Sequence, residues 1–309
     1  MIPISADRVS VILPYYNRAS TLADAIESVL RQSRVDLLLY LINDGSSDNS
    51  RDIALSIDDK RMVHVDLEGN RGVSHARNTG LSLSKTSLVA FIDSDDVWLP
   101  RKLETQIRSL RLAQEVDNSV SVVGCGWKFV ESDSEPKDFP RGPFTRMDVL
   151  ANRVSGMGTP TLLVDRSAAV THARFDESIP SLEEGDYVMS CLANGTTIMI
   201  VPDVLLEVRR GQGDHLGVSR LTALGWEAYL RKYASELAGR PRLRAWYAFR
   251  AARDHLKNRD VMKALQHAPI ALSDQTSKRL FHLGLGIVGG RVGLAIAQKF
   301  SSATAPIVV

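Results

Sequence analysis

The sequence predicts an α/β fold built on a mostly parallel sheet and followed by a helical C-terminal region. From residue 8 to about residue 124, short aliphatic runs alternate with longer segments of helical periodicity, which is the pattern of βαβ units. Polar and acidic residues follow three of these runs, at the position where open α/β sheets bind ligands. Beyond residue 220 only the helical period remains.

Five strands are predicted in the first 124 residues, each from a run of β-branched or aliphatic side chains. These are Val9–Leu13, Leu37–Ile42, Met62–Leu67, Leu88–Ile92 and Val120–Val123. Between them, two groups of apolar residues recur at helical spacing. The groups are Leu22, Ile26, Val29 and Leu30, and Leu99, Leu103, Ile107 and Leu110. Because each predicted helix follows a strand, consecutive strands are expected to run parallel.

The second half of the chain starts after residues 131–143, which mix acids, prolines and glycine without any period and are predicted to be a connection. Thr145 and Asp148 have the spacing of a helix capping box. Thr161–Val164 is predicted to be a strand, and Tyr187–Leu192 part of a helix.

These patterns divide the chain into two predicted domains. The α/β domain spans residues 1–218, with a first half of about 1–125 and a second half of about 145–218. The helical region spans residues 219–309. One face of it is predicted to carry four apolar side chains, Trp226, Leu230, Tyr233 and Leu237.

The composition is that of a folded globular protein, with 309 residues of which 44% are hydrophobic and 24% are charged. The formal net charge of +2 does not indicate a polyanionic partner such as nucleic acid. Two cysteines, Cys125 and Cys191, are too few for a disulfide framework, which favours a reducing compartment. The N-terminus lacks signal-peptide features, and no apolar run reaches the roughly 20 residues that span a bilayer. We therefore expect a cytoplasmic protein.

The segment from residue 208 to residue 260 is basic, with 12 lysines and arginines against 5 acidic residues. A solvated helical face is the favoured interpretation, since charge runs usually have that origin. The alternative is peripheral contact with the anionic inner face of a membrane or with a lipid-linked diphosphate, because basic amphipathic helices favour such surfaces.

Three carboxylates follow the fourth predicted strand. Asp93, Asp95 and Asp96 repel one another unless a cation or hydrogen-bond donors offset their charge. Their hard oxygen atoms suit Mn²⁺ or Mg²⁺, which in turn bind substrate phosphates. The alternative is a solvated acidic turn that caps the next helix. The sequence therefore predicts either a divalent metal site or a helix cap at this point.

Two further strand ends carry candidate binding residues. Asp44 precedes Gly45, where the backbone is expected to turn, so its carboxylate either shapes the turn or accepts hydrogen bonds from a nucleoside base or ribose. After the third strand, the stretch Asn70–Gly80 supplies cations, amides and a helix start. Arg77 in this stretch is suited to binding phosphate or to holding nearby carboxylates in position.

Four segments, in the same order along the chain, resemble glycosyltransferase family 2, inverting enzymes with the GT-A fold. They are Val11–Asn17, Asn43–Asp48, Asn70–Asn78 and Phe91–Asp96. The resemblance covers residues 8 to 100 strongly and the stretch to about residue 220 weakly. It implies a Rossmann-like nucleotide-binding α/β/α sandwich, with a nucleotide-sugar half followed by an acceptor half.

The resemblance also implies roles for individual residues. Pro14, Tyr16 and Asp44 are expected to surround the nucleotide base. Asp95 is expected to hold Mn²⁺ or Mg²⁺, and Asp93 to lie nearer the ribose or the donor sugar. The full set of expected nucleotide-binding residues is Pro14, Tyr16, Asn17, Asp44, Asn70, Arg77, Asp93 and Ser94.

The family carries a Glu-Asp pair at the start of a helix in its second half, and the Asp of that pair takes the proton of the acceptor. The corresponding segment here resembles Leu182–Tyr187, with Glu184 at the position of that Asp. Glu184 can act as a general base with the reach of one more methylene, and Asp186 is a competing candidate. The alternative is an acidic helix N-terminus. His215 is a further candidate contact to the metal or the diphosphate, and the alternative is an ordinary surface histidine.

Together these implications predict an inverting transferase that moves a sugar from a nucleotide diphosphate donor, a UDP-sugar, to an acceptor hydroxyl. The expected acceptor is a carbohydrate, a lipid-linked molecule or another compound with a hydroxyl group. The expected role is in cell-surface polysaccharide or glycoconjugate synthesis. The alternatives are a non-catalytic nucleotide-sugar binding protein and a sugar nucleotidyltransferase. The latter normally has a glycine-rich, lysine-containing loop after its first strand, and Pro14–Arg18 does not match it.

The segment Gly284–Gly289 matches G-x-G-x-x-G, the motif of dinucleotide-binding loops. Only about 20 residues remain after it, too few for the βαβ unit that such a loop requires.

Overall fold

The computed structural model describes residues 8–33, 35–130, 139–154, 157–169, 172–209 and 220–273. These residues form two compact units. The first contains the described residues up to Glu177 and from Glu183 to Arg209, and the second contains Ser178–Leu182 and those from Arg220 onward.

Among its described residues, the first unit has eight strands and six α-helices. In chain order they are β1 (Val9–Tyr15), α1 (Leu22–Leu30), β2 (Leu37–Asn43), α2 (Ser50–Ser56), β3 (Met62–Asp66), α3 (Val73–Leu83), β4 (Leu88–Phe91), β5 (Val97–Trp98), α4 (Lys102–Val116), β6 (Val120–Phe129), α5 (Arg146–Leu150), β7 (Leu163–Asp165), α6 (Glu183–Cys191) and β8 (Thr197–Val208).

All eight strands lie in one sheet with the order β3-β2-β1-β4-β7-β6-β8-β5. β1 pairs in parallel with both β2 and β4, β2 with β3, and β6 with β8. β7 is antiparallel to β4 and β6, and β5 is antiparallel to β8. Because β1 lies between two parallel neighbours, the carboxyl ends of β1, β2 and β4 open onto the same edge of the sheet, where such folds bind ligands.

Apolar side chains fill both faces of the sheet, since successive residues of a strand point to opposite sides. Val11 and Leu13 of β1 belong to a core cluster with apolar residues of α1 and α4. Ile12 belongs to a second cluster with residues of α3 and α6, in which the rings of Phe175 and Tyr187 stack at 4.1 Å. The first unit is therefore a sheet with helices on both faces.

All five strands predicted in the first 124 residues are present. The ends of β1, β2, β3 and β4 differ from the predicted ones by no more than two residues, whereas β6 begins at the predicted Val120 but continues to Phe129. The capping box of Thr145 and Asp148 is also present, with both reciprocal hydrogen bonds. β8 was not predicted, because Pro202 and Asp203 interrupt its apolar run and it pairs with β6 through irregular register. Leu99 lies before α4, which begins only at Lys102.

The described part of the second unit is helical, as the periodicity beyond residue 220 predicts. Its helices are α7 (Arg220–Lys232), α8 (Ala234–Ala238), α9 (Pro241–Lys257) and α10 (Val261–Ala271). Trp226, Tyr233 and Leu237 are buried, although the helix breaks at Tyr233 and the four predicted positions do not lie on one continuous helix.

No helix within the described ranges is both long enough and apolar enough to cross a bilayer. His215 and Gly284–Gly289 lie outside the described residues.

A glycine pair at the turn after β2 provides a test of the fold. Gly45 has φ of 73°, and a Cβ there would lie 2.5 Å from the backbone of Gly69. Gly69 has φ of 87°, but a Cβ there would meet nothing within 4 Å. Gly45→Ala should therefore lower the free energy of unfolding by about 3 kcal/mol and Gly69→Ala by only about 1 kcal/mol. Urea unfolding measures both losses, and equal losses would contradict the close approach at Gly45.

Candidate functional site

The loops after β1 and β2 are joined by hydrogen bonds. Asn17 adopts φ of 52°, and its Oδ1 accepts a hydrogen bond from the backbone N–H of Ser47 at 2.8 Å. The backbone N–H of Asn17 donates to Oγ of Ser46 at 3.1 Å, and that of Arg18 donates to Oγ of Ser50 at 2.7 Å. The left-handed backbone is one that Asn tolerates better than most residues. The amide oxygen of Asn17, a predicted nucleotide contact, thus holds the two loops together.

Asp44 lies just after β2 and positions the next loop along the sheet edge. Only 4% of its surface is exposed. Its Oδ1 accepts a hydrogen bond from the backbone N–H of Arg71 at 2.8 Å, and its Oδ2 accepts one from Gly72 at 2.9 Å. Oδ1 of Asn70 accepts from the same N–H of Gly72 at 3.1 Å. Because Gly72 directly precedes α3, these contacts fix the start of that helix, where the helix dipole favours anions.

The turn after β4 carries the three aspartates predicted from sequence. The Oγ1 hydroxyl of Thr21 donates to the carbonyl oxygen of Ser94 at 2.8 Å and ties this turn to the start of α1. The side chains of Asp93 and Asp95 are 35% and 28% exposed. Asp96 is buried. Two of the three carboxylates can therefore be reached from solvent.

Negative charge is concentrated at this turn. Burial, followed by the charges of Asp93 and Asp95, raises the pKa of Asp96 to about 9. Nε of Arg18 lies 3.8 Å from Oδ2 of Asp95, and both side chains are partly exposed. Such a set of carboxylate oxygens, two of them on partly exposed side chains, fits a hard divalent ion such as Mn²⁺ or Mg²⁺.

Arg77 of α3 lies between the acidic turn and the start of α6. Its Nη2 donates to Oδ1 of Asp93 at 2.8 Å, and its Nη1 donates to Oε1 of Glu183 at 2.7 Å. Its side chain is only 4% exposed, and the guanidinium carbon lies 5.2 Å from the centre of the Phe175 ring. Burial opposes the charged form, but the two carboxylates outweigh it and raise the pKa of Arg77 above its usual value. One buried cation thus connects two separate acidic segments.

The two candidate bases lie in the first turn of α6 and differ in exposure. Glu184 is partly exposed, and burial, followed by the adjacent charge of Glu183, raises its pKa to about 7. Asp186 is 0% exposed. Two residues correspond to about 200° around a helix, so these side chains leave it on opposite sides. Glu184 is the candidate that an acceptor could reach.

The remaining predicted site residues occupy different environments. Pro14 is buried within β1, whereas Tyr16 directly follows that strand and is 40% exposed. Arg18, which was not predicted, contacts Ser50 at the start of α2 and Asp95 of the turn after β4. His215 lies outside the described residues, so its predicted contact stays a prediction.

Sequence reasoning missed the partner of Arg77. Glu183 lies 106 positions further along the chain, and no local spacing indicates that the two side chains meet. It also missed Thr21 and Arg18, which hold the acidic turn from the first loop. The buried face of α3 around Arg77 consists mostly of small residues, Ser74, Ala76 and Gly80. These small neighbours were the available signal that the guanidinium is buried and therefore requires anionic partners.

Comparison with known proteins identifies the family. The model of glycosyl transferase family 2 matches residues 10–170, which is just over half of the 309 residues.

Curated relatives named for an activity or a biosynthetic pathway match between about half and nine tenths of the chain. The UDP-Glc:alpha-D-GlcNAc-diphosphoundecaprenol beta-1,3-glucosyltransferase WfgD of Escherichia coli is 33% identical over 52% of this chain and 60% of its own length. The putative teichuronic acid biosynthesis glycosyltransferase TuaG of Bacillus subtilis is 35% identical over 51% of this chain and 62% of its own length. This chain thus spans about 60% of the length of these two relatives. The succinoglycan biosynthesis protein ExoO of Rhizobium meliloti is 28% identical over 90% of this chain and 84% of its own length.

Solved structures support the fold. S. aureus TarS in complex with UDP-GlcNAc superposes with a TM-score of 0.65 at 18% identity, over 97% of this chain and 94% of that chain. The mannosyltransferase PcManGT of Pyrobaculum calidifontis, in complex with GDP-Man and Mn²⁺, superposes with a TM-score of 0.55 at 18% identity, over 95% and 84% of the two chains. At this identity the likeness concerns the fold alone, which is the GT-A fold followed by helices. With the family match over residues 10–170, this chain belongs to glycosyltransferase family 2.

Proposed function

We propose that the chain transfers one sugar from a nucleotide diphosphate sugar to an acceptor hydroxyl, with inversion at the anomeric carbon. The observation that carries this proposal is the position of Arg77. It makes one ion pair with Asp93 of the candidate donor turn and one with Glu183, the neighbour of the candidate base. A donor turn and a base held at a fixed separation are what an in-line displacement requires.

The proposed donor site is the edge of the sheet formed by the loops after β1, β2 and β4. The nucleoside is proposed to bind beside the exposed ring of Tyr16 and near Asp44, and the diphosphate to lie over Asp95. The start of α3, which Asp44 fixes, adds partial positive charge to this edge. Asp95 is the residue proposed to hold Mn²⁺ or Mg²⁺, and Asp93 is proposed to lie nearer the ribose or the donor sugar. When bound, such an ion neutralises charge that develops on the departing diphosphate.

Glu184 is proposed as the general base. Its ionised carboxylate takes the proton of the acceptor hydroxyl while the hydroxyl oxygen attacks the anomeric carbon from the side opposite the diphosphate. The bond between that carbon and the diphosphate oxygen breaks, and its electron pair leaves with the diphosphate. A pKa of about 7 suits this role, because the group is then both ionised and basic near neutral pH. No covalent enzyme intermediate is required.

UDP is the proposed donor nucleotide, because TarS, which shares this fold, was solved with UDP-GlcNAc. A polysaccharide or a lipid-linked intermediate is the proposed acceptor, because the names of the relatives from Escherichia coli and Rhizobium meliloti refer to a diphosphoundecaprenol substrate and to succinoglycan biosynthesis. The basic second unit is proposed to lie near the anionic inner face of the membrane, where such an acceptor is anchored.

The stability of the Arg77 ion pairs can be tested by a double-mutant cycle. Arg77→Met should lower the free energy of unfolding by about 3 kcal/mol, because it leaves the carboxylate of Glu183 buried without its cation. Adding Glu183→Gln should recover about 1 to 2 kcal/mol of that loss. Asp93→Asn is the control and should cost less than about 1 kcal/mol, since its side chain is 35% exposed. Additive losses in urea unfolding would show that Arg77 and Glu183 do not interact.

Metal-dependent donor chemistry can be tested at Asp95. With a UDP-sugar and Mn²⁺, Asp95→Asn should lower donor hydrolysis and transfer by about 100-fold, because a ligand to the proposed cation is lost. Asp52→Asn, at an exposed position of α2, should leave both rates unchanged. A chelator should reproduce the loss in the wild-type protein. A wild type that binds the donor but neither hydrolyses nor transfers it, with any acceptor offered, would instead indicate a binding protein.

The role of Glu184 can be tested by a pH profile. Because its pKa is raised to about 7 and only the ionised form accepts a proton, kcat/KM should rise tenfold per pH unit below about pH 7 and level off above it. Glu184→Gln should lose about 10²-fold to 10⁴-fold in kcat/KM and abolish this rise. Asp186→Asn should keep the rise. The opposite result, with the rise lost in Asp186→Asn and kept in Glu184→Gln, would assign the base to Asp186.

A further inference from the structure

Three metal-ligating side chains converge in the second unit, one from each of three helices. Glu227 lies on α7, His255 on α9 and His267 on α10. Oε1 of Glu227 lies 2.8 Å from Nε2 of His255 and 3.0 Å from Nε2 of His267. One candidate ligand atom from each of the three residues lies within 4.8 Å of the other two. None of these residues belongs to the candidate donor site.

The two imidazole rings are nearly parallel, and both direct their Nε2 atoms toward the same carboxylate. Their planes are 4° from parallel and their centres are 5.9 Å apart, so both Nε2 atoms face the carboxylate of Glu227. His255 is fully buried, whereas the side chains of His267 and Glu227 are 16% and 15% exposed. The cluster is therefore mostly shielded from bulk water.

The unpaired Nδ1 of His255 is a second observation that points to a cation at this cluster. If both Nε2 atoms carry hydrogens that they donate to Glu227, a neutral His255 has a bare Nδ1. That Nδ1 is buried and makes no hydrogen bond, and it lies 3.9 Å from Oδ2 of Asp260. A cation at Nε2 would place the proton on Nδ1, the ring nitrogen nearest the Asp260 carboxylate. A histidine ligand supported in this way by a carboxylate is the usual arrangement at protein metal sites.

Contacts around the cluster hold its members in place before any ion binds. The side chain of Asp260 accepts a hydrogen bond from the backbone N–H of Lys263 and caps α10, and its own backbone N–H donates to the carbonyl of His255 at 2.9 Å. The indole Nε1 of Trp226, next to Glu227, donates to Oδ2 of Asp254 at 3.0 Å. α7, α9 and α10 are thus fixed close to the three candidate ligands.

We propose that Glu227, His255 and His267 bind one Zn²⁺ ion, with a water molecule in the fourth coordination position. Two imidazole nitrogens and one carboxylate form a ligand set that zinc binds tetrahedrally, and nitrogen donors disfavour Mg²⁺. Zinc would join α7, α9 and α10 through direct bonds and stabilise the second unit. The site is chemically distinct from the all-oxygen acidic turn of the first unit and does not depend on the proposed transfer activity.

The test uses the full chain with Asp95→Asn as background, so that the acidic turn contributes less to metal binding. After treatment with a chelator, zinc is added and measured by bound-metal analysis and by thermal unfolding. One zinc per chain should bind, and at about 100 times the dissociation constant the midpoint of unfolding should rise by about 5 °C. Co²⁺ in place of zinc should give the visible absorption of a tetrahedral site.

Matched variants locate the ion. Glu227→Gln and His267→Gln should each weaken zinc binding by more than about 100-fold, since loss of a ligand exceeds the loss caused by removing a supporting residue. His172→Ala removes an exposed histidine of the first unit and should leave zinc binding unchanged. Circular dichroism of the metal-depleted variants checks that each is folded.

Three outcomes would overturn the proposal. They are no bound zinc in the background protein, zinc affinity in Glu227→Gln or His267→Gln equal to that of the background protein, and a loss of zinc binding in His172→Ala. The first outcome would leave a proton-sharing His-Glu-His cluster as the reason for the arrangement.

Discussion

Parallel pairing of β1 with both β2 and β4 is the constraint on which the candidate site depends. The paired strands place Tyr15 beside Asn43 and Ile12 beside Phe91, so three strands end at one edge of the sheet. The polar segments that follow these strands must then share that edge. Hydrogen bonds of Asn17 and Arg18 fix the loops to one another.

Charge balance at this edge explains why the acidic segments can coexist. Arg77 is buried between Asp93 and Glu183 and offsets part of their charge, while burial and its acidic neighbours raise the pKa of Asp96. The side chains of Asp93 and Asp95 remain partly exposed to solvent. A diphosphate at this edge would meet repulsion from these carboxylates, and a divalent cation bound with it would remove that repulsion.

The sequence predicts the first half well, because its parallel strands are short, apolar and bounded by turn residues. The acidic turn was predictable from Asp93 and Asp95 alone. The Arg77–Glu183 ion pair was not, because it joins helices far apart in sequence. β8 escaped prediction because a proline interrupts its apolar run. The cluster of Glu227, His255 and His267 could not be predicted from the sequence either, because its three members come from separate helices.

A crystal structure with UDP and Mn²⁺ would test the central claim most directly, namely that the loops after β1, β2 and β4 form one donor pocket. We expect the metal ion to be bound by Asp95 and by oxygens of both phosphates, and the uracil to lie between Tyr16 and the loop that Asp44 holds. A nucleotide bound away from this edge, or one that contacts the β4 turn but none of the residues after β1 and β2, would contradict the account.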